Sequence, residues 1–150
     1  MTRFILAVLA YLIPTFVLGF VWHLILFENY YKALQIYRDD VVIPFGLLSM
    51  LIQAVIFAGI YSRVFLRSDR RFLSRALTYS ALGAALSWSF TTLAVAAKNI
   101  MTSVPNYLLI ETGFTLVQWI MVGPLTVLVF GRAAEQRQTV SASSPKTSGF

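Results

Sequence analysis

The stretch FILAVLAYLIPTFVLGFVWHLILF, residues 4–27, decides the fold, because it continues for 24 residues without a charged side chain. A helix needs about 20 apolar residues to cross the roughly 30 Å hydrocarbon layer of a bilayer. The apolar part of a signal peptide is only about 7 to 15 residues long and precedes a small-residue cleavage site. No such site comes before Glu28. The stretch therefore predicts a membrane span that is not cleaved.

The composition of the whole chain also indicates that it lies in a lipid bilayer. Hydrophobic residues make up 58% of the 150 residues and charged residues 12%, whereas soluble domains contain about 25% charged residues. With a mean hydropathy of +0.74, the chain has more apolar surface than a soluble particle of this size can enclose. We expect an integral membrane protein, and the composition disfavours both a disordered chain and a soluble enzyme.

Three further runs with few charges follow the first span. Together the four runs predict spans at about 4–27, 41–62, 76–97 and 105–131. Because short loops make successive helices antiparallel, we predict an all-α integral membrane four-helix bundle with up-down topology over residues 1–131. The polar, Ser/Thr-rich remainder, residues 132–150, predicts a disordered cytoplasmic tail.

Basic residues divide unequally between the two predicted sides. Nine of the twelve lie before span 1, between spans 2 and 3, or after span 4, which places both termini in the cytoplasm. The net charge of +6 therefore indicates orientation, and a surface for nucleic acid or a partner is the alternative. Five arginines between spans 2 and 3 are interpreted as topology determinants and lipid headgroup anchors: Arg63, Arg67, Arg70, Arg71 and Arg75.

Each predicted span carries a stripe of polar or small residues at helical spacing. The stripes are Tyr11, Thr15, Gly19 and His23 in span 1; Gly46, Ser49 and Gln53 in span 2; Ser80, Gly83, Ala84, Ser87 and Thr91 in span 3; and Glu111, Thr115 and Gln118 in span 4. The small stripe over Ser80, Gly83, Ala84 and Ser87 favours close helix packing, and most of the other polar residues predict interhelical hydrogen bonds.

Two ionisable residues, His23 and Glu111, fall inside the spans. A rise of about 1.5 Å per residue places both in the outer leaflet, where they can meet if spans 1 and 4 are neighbours. Since an isolated charge in hydrocarbon is strongly disfavoured, we predict a functional polar cluster of His23 and Glu111 with Gln53 and Gln118. Lys98 of the outer loop is a further candidate cation for Glu111. The alternative is a separate His and Glu, each reaching the headgroups.

Little in the sequence predicts catalysis. The chain has no cysteine and one histidine, so we expect no metal and no cofactor. It has no nucleophile-elbow or nucleotide-binding motif. We predict an accessory or structural membrane component that is not an enzyme. A small proton-linked transporter is the first alternative and a membrane enzyme acting on a lipid the second. The expected partners are the lipid bilayer and either a second copy or another membrane protein, with no nucleic acid.

Three stretches carry a resemblance: GFVWHLILFENYY at 19–31, PFGLLSMLIQ at 44–53 and AKNIMTSVPNYLLIETGFTLVQ at 97–118. Over residues 3–131 the chain resembles a group of small four-span bacterial inner-membrane proteins to which no activity is assigned. The resemblance implies a bacterial inner-membrane protein with four spans. It implies no catalytic residues.

Overall fold

The computed structural model describes residues 1–38, 40–66 and 71–143, with side chains described as far as residue 131. The described part is helical and contains no strand. Its helices are α1 (Thr2–Val21), α2 (Glu28–Leu34), α3 (Ile43–Ile60), α4 (Phe72–Ser87), α5 (Ala94–Ala96) and α6 (Val104–Ser143). Wider π-helical turns continue three of them: Trp22–Leu26 follows α1, Tyr61–Phe65 follows α3, and Trp88–Leu93 joins α4 to α5.

Among the described residues, three helices are long and apolar enough to cross a membrane. They are Thr2–Leu26, Ile43–Phe65 and Val104–Gly131, which match the first, second and fourth predicted spans within a few residues. The third predicted span, 76–97, is helical for most of its length but is not among the three. Serine and threonine alternate there with leucine and alanine, and this lowers its hydropathy.

The long helices α1, α3, α4 and α6 pack side by side. α1 lies against α3 and α6, and α4 lies along α6. Their buried faces form one core, in which Tyr11, Phe57, Tyr79 and Trp119 contribute one ring from each helix. A smaller cluster of Tyr31, Leu34 and Tyr107 fixes α2 against the start of α6.

The outward faces of the helices are more apolar than much of the interior. On α1 the buried stripe is Ala7, Tyr11, Thr15 and Gly19, while Ile5, Leu6, Leu9, Ile13, Val17 and Phe20 are exposed. A water-soluble protein rarely exposes so continuous an apolar surface. In a lipid bilayer apolar side chains can face outward, and small and polar residues at helix contacts are typical of membrane proteins.

Two details go beyond what the sequence predicted. Gly46 and Ser49 of the span 2 stripe are exposed, because α3 buries Ala54, Phe57 and Ala58 instead and its first half stands off from α1. The backbone of α6 is helical to Ser143, which is within the segment expected to be a tail. After Gly131 the chain has no proline or glycine until Pro145, and its Ala, Glu, Gln and Arg residues favour helix.

The predicted arginine anchors lie at one end of the helices, which we call the arginine end. Arg63 and Arg71 are exposed there, and Arg75 is partly buried. Arg67 and Arg70 lie outside the described residues. The opposite end, which we call the histidine end, holds His23, α2 and the first turns of α6.

Candidate functional site

His23 and Glu111 are in contact at the histidine end. The Nε2 atom of His23 lies 3.2 Å from Oε1 of Glu111, and their side chains are only 19% and 10% exposed. The hydroxyl of Tyr31, a fully buried residue of α2, donates a hydrogen bond of 2.7 Å to the same oxygen. The depth count placed His23 and Glu111 in the same leaflet, and the structure adds Tyr31 to them.

The second ring nitrogen of His23, Nδ1, fixes the position of one of the protons. Nδ1 lies 2.9 Å from the carbonyl oxygen of Gly19. A carbonyl can only accept, so Nδ1 carries a hydrogen. The contact between Nε2 and Glu111 then holds one shared proton: either a charged imidazole donates to the carboxylate, or a protonated carboxyl donates to neutral imidazole. The pair is therefore suited to holding a proton.

Tyr31 completes this arrangement as a fixed donor. Burial raises the pKa of its hydroxyl well above the usual range, and the nearby Glu111 carboxyl raises it further. The hydroxyl therefore stays protonated at neutral pH and keeps the hydrogen that it donates to Glu111. The loop position of Tyr31 concealed it in the sequence, although Tyr31 and Leu34 have the three-residue spacing of a buried helix face.

Gln118 and Gln53 belong to a second network, about two helical turns from Glu111 along α6. Its centre is Tyr11, whose hydroxyl donates to Gln53 at 2.8 Å and accepts from Gln118 at 3.2 Å. Gln118 also donates to Thr15 at 3.3 Å, and Gln53 donates to Ser49 at 3.3 Å. The four predicted cluster residues thus form two separate pairs, and the sequence did not identify Tyr11 as their link.

The predicted small stripe of span 3 packs against Trp119 of α6. Ser80 donates to the carbonyl of Trp119 at 2.9 Å, and the indole Nε1 donates to Ser87 at 3.1 Å. A Cβ atom at Gly83 would overlap the indole ring, so this glycine is required for the approach. Ala84 is partly buried beside it.

Lys98 is not the cation of the site. Its side chain is exposed, and no ion pair joins it to Glu111 within the part of the chain that the structure describes. The loop that carries Lys98 is held elsewhere, since the Thr102 hydroxyl donates to the Ala33 carbonyl at 2.9 Å. The partner of Glu111 is His23, as the main prediction had it.

A cavity of about 650 Å³ opens from this site toward the histidine end. We call it the vestibule. Its lining is His23, Leu24, Glu28, Tyr31, Lys32, Gln35, Tyr37, Arg38 and Val41. Glu111 is not part of the lining, so a molecule in the vestibule reaches the carboxyl only through His23 or Tyr31.

Two apolar spaces lie beside the long helices. A groove of about 310 Å³ runs between α1 and the first half of α3. A cleft of about 280 Å³ lies between α3 and the second half of α4, lined in part by Gln53 and Ser87.

No group of three His, Cys, Asp or Glu side chains that could hold a metal ion occurs in residues 1–38, 40–66 or 71–131. The candidate site is thus a proton-holding pair behind a polar vestibule. In comparisons with family models, curated proteins and solved structures, the chain has no match.

Proposed function

We propose that the chain is an integral protein of a bacterial cytoplasmic membrane, with four spans in an antiparallel bundle and both termini in the cytoplasm. The apolar outward faces of α1, α3 and α6 support the membrane placement. The length of contact between α4 and α6 supports a fourth span, because a helix packed along a span shares its depth. The orientation is supported by the division of the twelve basic residues, nine on the proposed cytoplasmic side and three on the other.

The absence of native cysteine gives this topology a direct test. Thr2→Cys and Asn99→Cys place single thiols at the arginine end and the histidine end. In intact cells a membrane-impermeant maleimide should label Asn99→Cys, and it should label Thr2→Cys only after permeabilisation. Labelling of Thr2→Cys in intact cells would contradict the orientation.

Within that membrane, we propose that the protein acts as an accessory or structural component. The supporting observation is that its interior polar groups bond to one another across helices, as in the links of Tyr11 to Gln53 and Gln118. Beside these links the rings form an aromatic layer, in which Tyr11 stacks on Phe57 and Trp119 meets Phe57 and Tyr79 edge-on. Such an interior holds helices together and opposes passage of a solute.

A second candidate function, a small proton-linked transporter, is favoured by one specific feature. The His23 and Glu111 pair holds a proton next to the vestibule, and intramembrane carboxylates of this kind occur in proton relays. Transport would require the aromatic layer to open.

Proteoliposomes distinguish the two candidates. The purified chain is reconstituted with a pH-sensitive dye inside, and proton entry is followed under an imposed pH gradient, alone and with panels of small solutes. For an accessory component we expect the same entry with wild type, Glu111→Gln and empty vesicles. Solute-dependent proton entry in wild type that disappears in Glu111→Gln, with equal reconstitution, would establish the transporter.

A further inference from the structure

The vestibule and the groove beside α1 adjoin each other. Four residues line both of them: His23, Leu24, Tyr37 and Val41. The vestibule is polar and lies at the end of the helices, whereas the groove is apolar and extends along them. Together they form one amphipathic site in which a charged group and a hydrocarbon chain can lie end to end.

The vestibule has the chemistry of a phosphate site. Lys32 and Arg38 both line it, against a single lining carboxylate, that of Glu28. Lys32 lies 2.6 Å from Glu28, and Arg38 lies 3.4 Å from Asp40 outside the lining. The lining therefore carries one more positive than negative charge before His23 is counted, and ammonium and guanidinium groups bind phosphate oxygens strongly.

The groove has the chemistry of an acyl-chain site. Phe16, Phe20, Leu47 and Met50 line it, and glycine provides the room. A Cβ atom at Gly46 would meet nothing within 4 Å. The groove lies between two helices that face outward with apolar side chains, so a lipid tail can enter it sideways from the bilayer.

We propose that this joined site binds one glycerophospholipid, with the phosphate headgroup in the vestibule and an acyl chain in the groove between α1 and α3. The volumes of the two parts, about 650 and 310 Å³, are in the range of about 300 to 1,000 Å³ found for ligand sites. His23 lies at the junction of the two parts. A bound lipid therefore covers the side of the His23 and Glu111 pair that faces the vestibule. The proposal rests on the membrane placement proposed above.

Two glycine variants on the same helix test the tail site. Gly46→Phe fills the groove, whereas Gly59→Phe adds the same ring to α3 at another position where a Cβ is also in open space. The purified full-length chain in detergent is titrated with phosphatidylglycerol, and bound lipid is counted by native mass spectrometry. We expect a saturable single lipid on wild type and Gly59→Phe, and at least about tenfold weaker retention on Gly46→Phe. Equal retention by all three would overturn the proposal.

A second experiment tests the headgroup site. The double variant Lys32→Gln, Arg38→Gln removes two cations from the vestibule. Each cation contributes about 1 kcal/mol of binding free energy near an anionic lipid, so affinity for phosphatidylglycerol should fall about thirtyfold. Affinity for diacylglycerol with the same acyl chains should not change. Soluble glycerol phosphate should compete poorly, because it lacks the tail. Competition by glycerol phosphate as strong as that of the lipid would identify an anion site and contradict lipid binding.

A third measurement needs no variant. A phosphatidylglycerol with a photoreactive diazirine in one acyl chain is incorporated with the native chain into lipid nanodiscs and illuminated. Cross-links should concentrate on residues 16–24 and 43–50. Uniform labelling of all outward faces would mean that lipid contacts are only annular. Since the cysteine labelling tests membrane placement separately, the proposed placement can hold while the lipid site fails.

Discussion

The two ends of the packed helices use aromatic and polar residues in opposite ways. At the arginine end Tyr61 stacks on Phe130 with ring centres 4.9 Å apart and meets Tyr79 edge-on at 5.1 Å. At the histidine end rings surround polar atoms instead: Tyr31 and His23 lie 4.9 Å apart and both contact Glu111. One end is a dry seam, and the other is a polar site with cavities beside it.

The difference follows from how the helices approach each other. Near the arginine end Tyr79 of α4 donates to the Phe57 carbonyl of α3, and this contact closes the bundle. The cleft between α3 and α4 begins beside this contact, since Phe57 also lines it, while α1 and the first half of α3 part to leave the groove. The groove leaves the histidine end able to accept a ligand.

The largest expected effect comes from removing the ring that joins the two halves. Trp119 is 1% exposed, and its ring centre lies 4.7 Å from that of Phe57 and 5.7 Å from that of Tyr79. Trp119→Ala should therefore lower the free energy of unfolding by about 3 to 5 kcal/mol, measured by denaturation in detergent micelles. The neighbouring Ile120 is 70% exposed, so Ile120→Ala should change it little. If both variants lose the same stability, the dry seam is not where the bundle is held.

The second effect is that the same glycine-to-alanine change should stabilise the protein at one position and destabilise it at another. Ala for Gly usually stabilises a helix by about 1 kcal/mol. Gly59→Ala should follow this rule, because a Cβ there meets nothing within 4 Å. Gly83→Ala should instead destabilise by about 2 kcal/mol, since its Cβ overlaps the Trp119 indole. The comparison uses thermal unfolding of the two purified variants, and a stabilised Gly83→Ala would show that α4 and α6 can separate at little cost.

The third effect tests the polar end through Tyr31. Tyr31→Phe removes the donor to Glu111 and should cost about 1.5 kcal/mol. Tyr30→Phe is the matched control, because the Tyr30 hydroxyl is exposed and reaches only the Asn106 carbonyl at 3.5 Å; it should cost close to nothing. Both are measured by chemical denaturation at pH 7.

The pH dependence of the Tyr31 pair sharpens that test. Burial raises the pKa of Tyr31 in the folded protein above the 10.0 of an unperturbed tyrosine. The stabilisation is therefore fully present below pH 10 and is lost as the pH rises further, because the unfolded chain ionises first. The stability difference between wild type and Tyr31→Phe should be constant from pH 7 to 9 and narrow above pH 10. A difference that grows with pH would contradict the buried, protonated hydroxyl.

The sequence predicted the features that depend on bilayer thickness, namely the spans and the leaflet in which each ionisable residue lies. Three spans follow from apolar runs of sufficient length, and helical rise placed His23 and Glu111 in the same leaflet. The packing partners did not follow from the sequence. Every span is apolar on most sides, so periodicity cannot identify Trp119 as the buried ring or show that Gly46 is exposed. Tyr31 was missed because its short helix folds back over the site from a segment that has no long apolar run.

The smallest effect separates the two glutamines that the sequence treated alike. Gln118 is 5% exposed and donates to both Tyr11 and Thr15 of α1, whereas Gln53 is half-buried and accepts from Tyr11 beside the cleft. Interhelical hydrogen bonds in membranes contribute about 0.6 kcal/mol on average. Gln118→Leu should thus cost about 1 kcal/mol and Gln53→Leu about half of that, in the same denaturation assay. The double variant should cost less than the sum of the two, because both glutamines act through the Tyr11 hydroxyl. Strict additivity would mean that Tyr11 does not couple them, and the middle of the bundle would then be two independent contacts rather than one network.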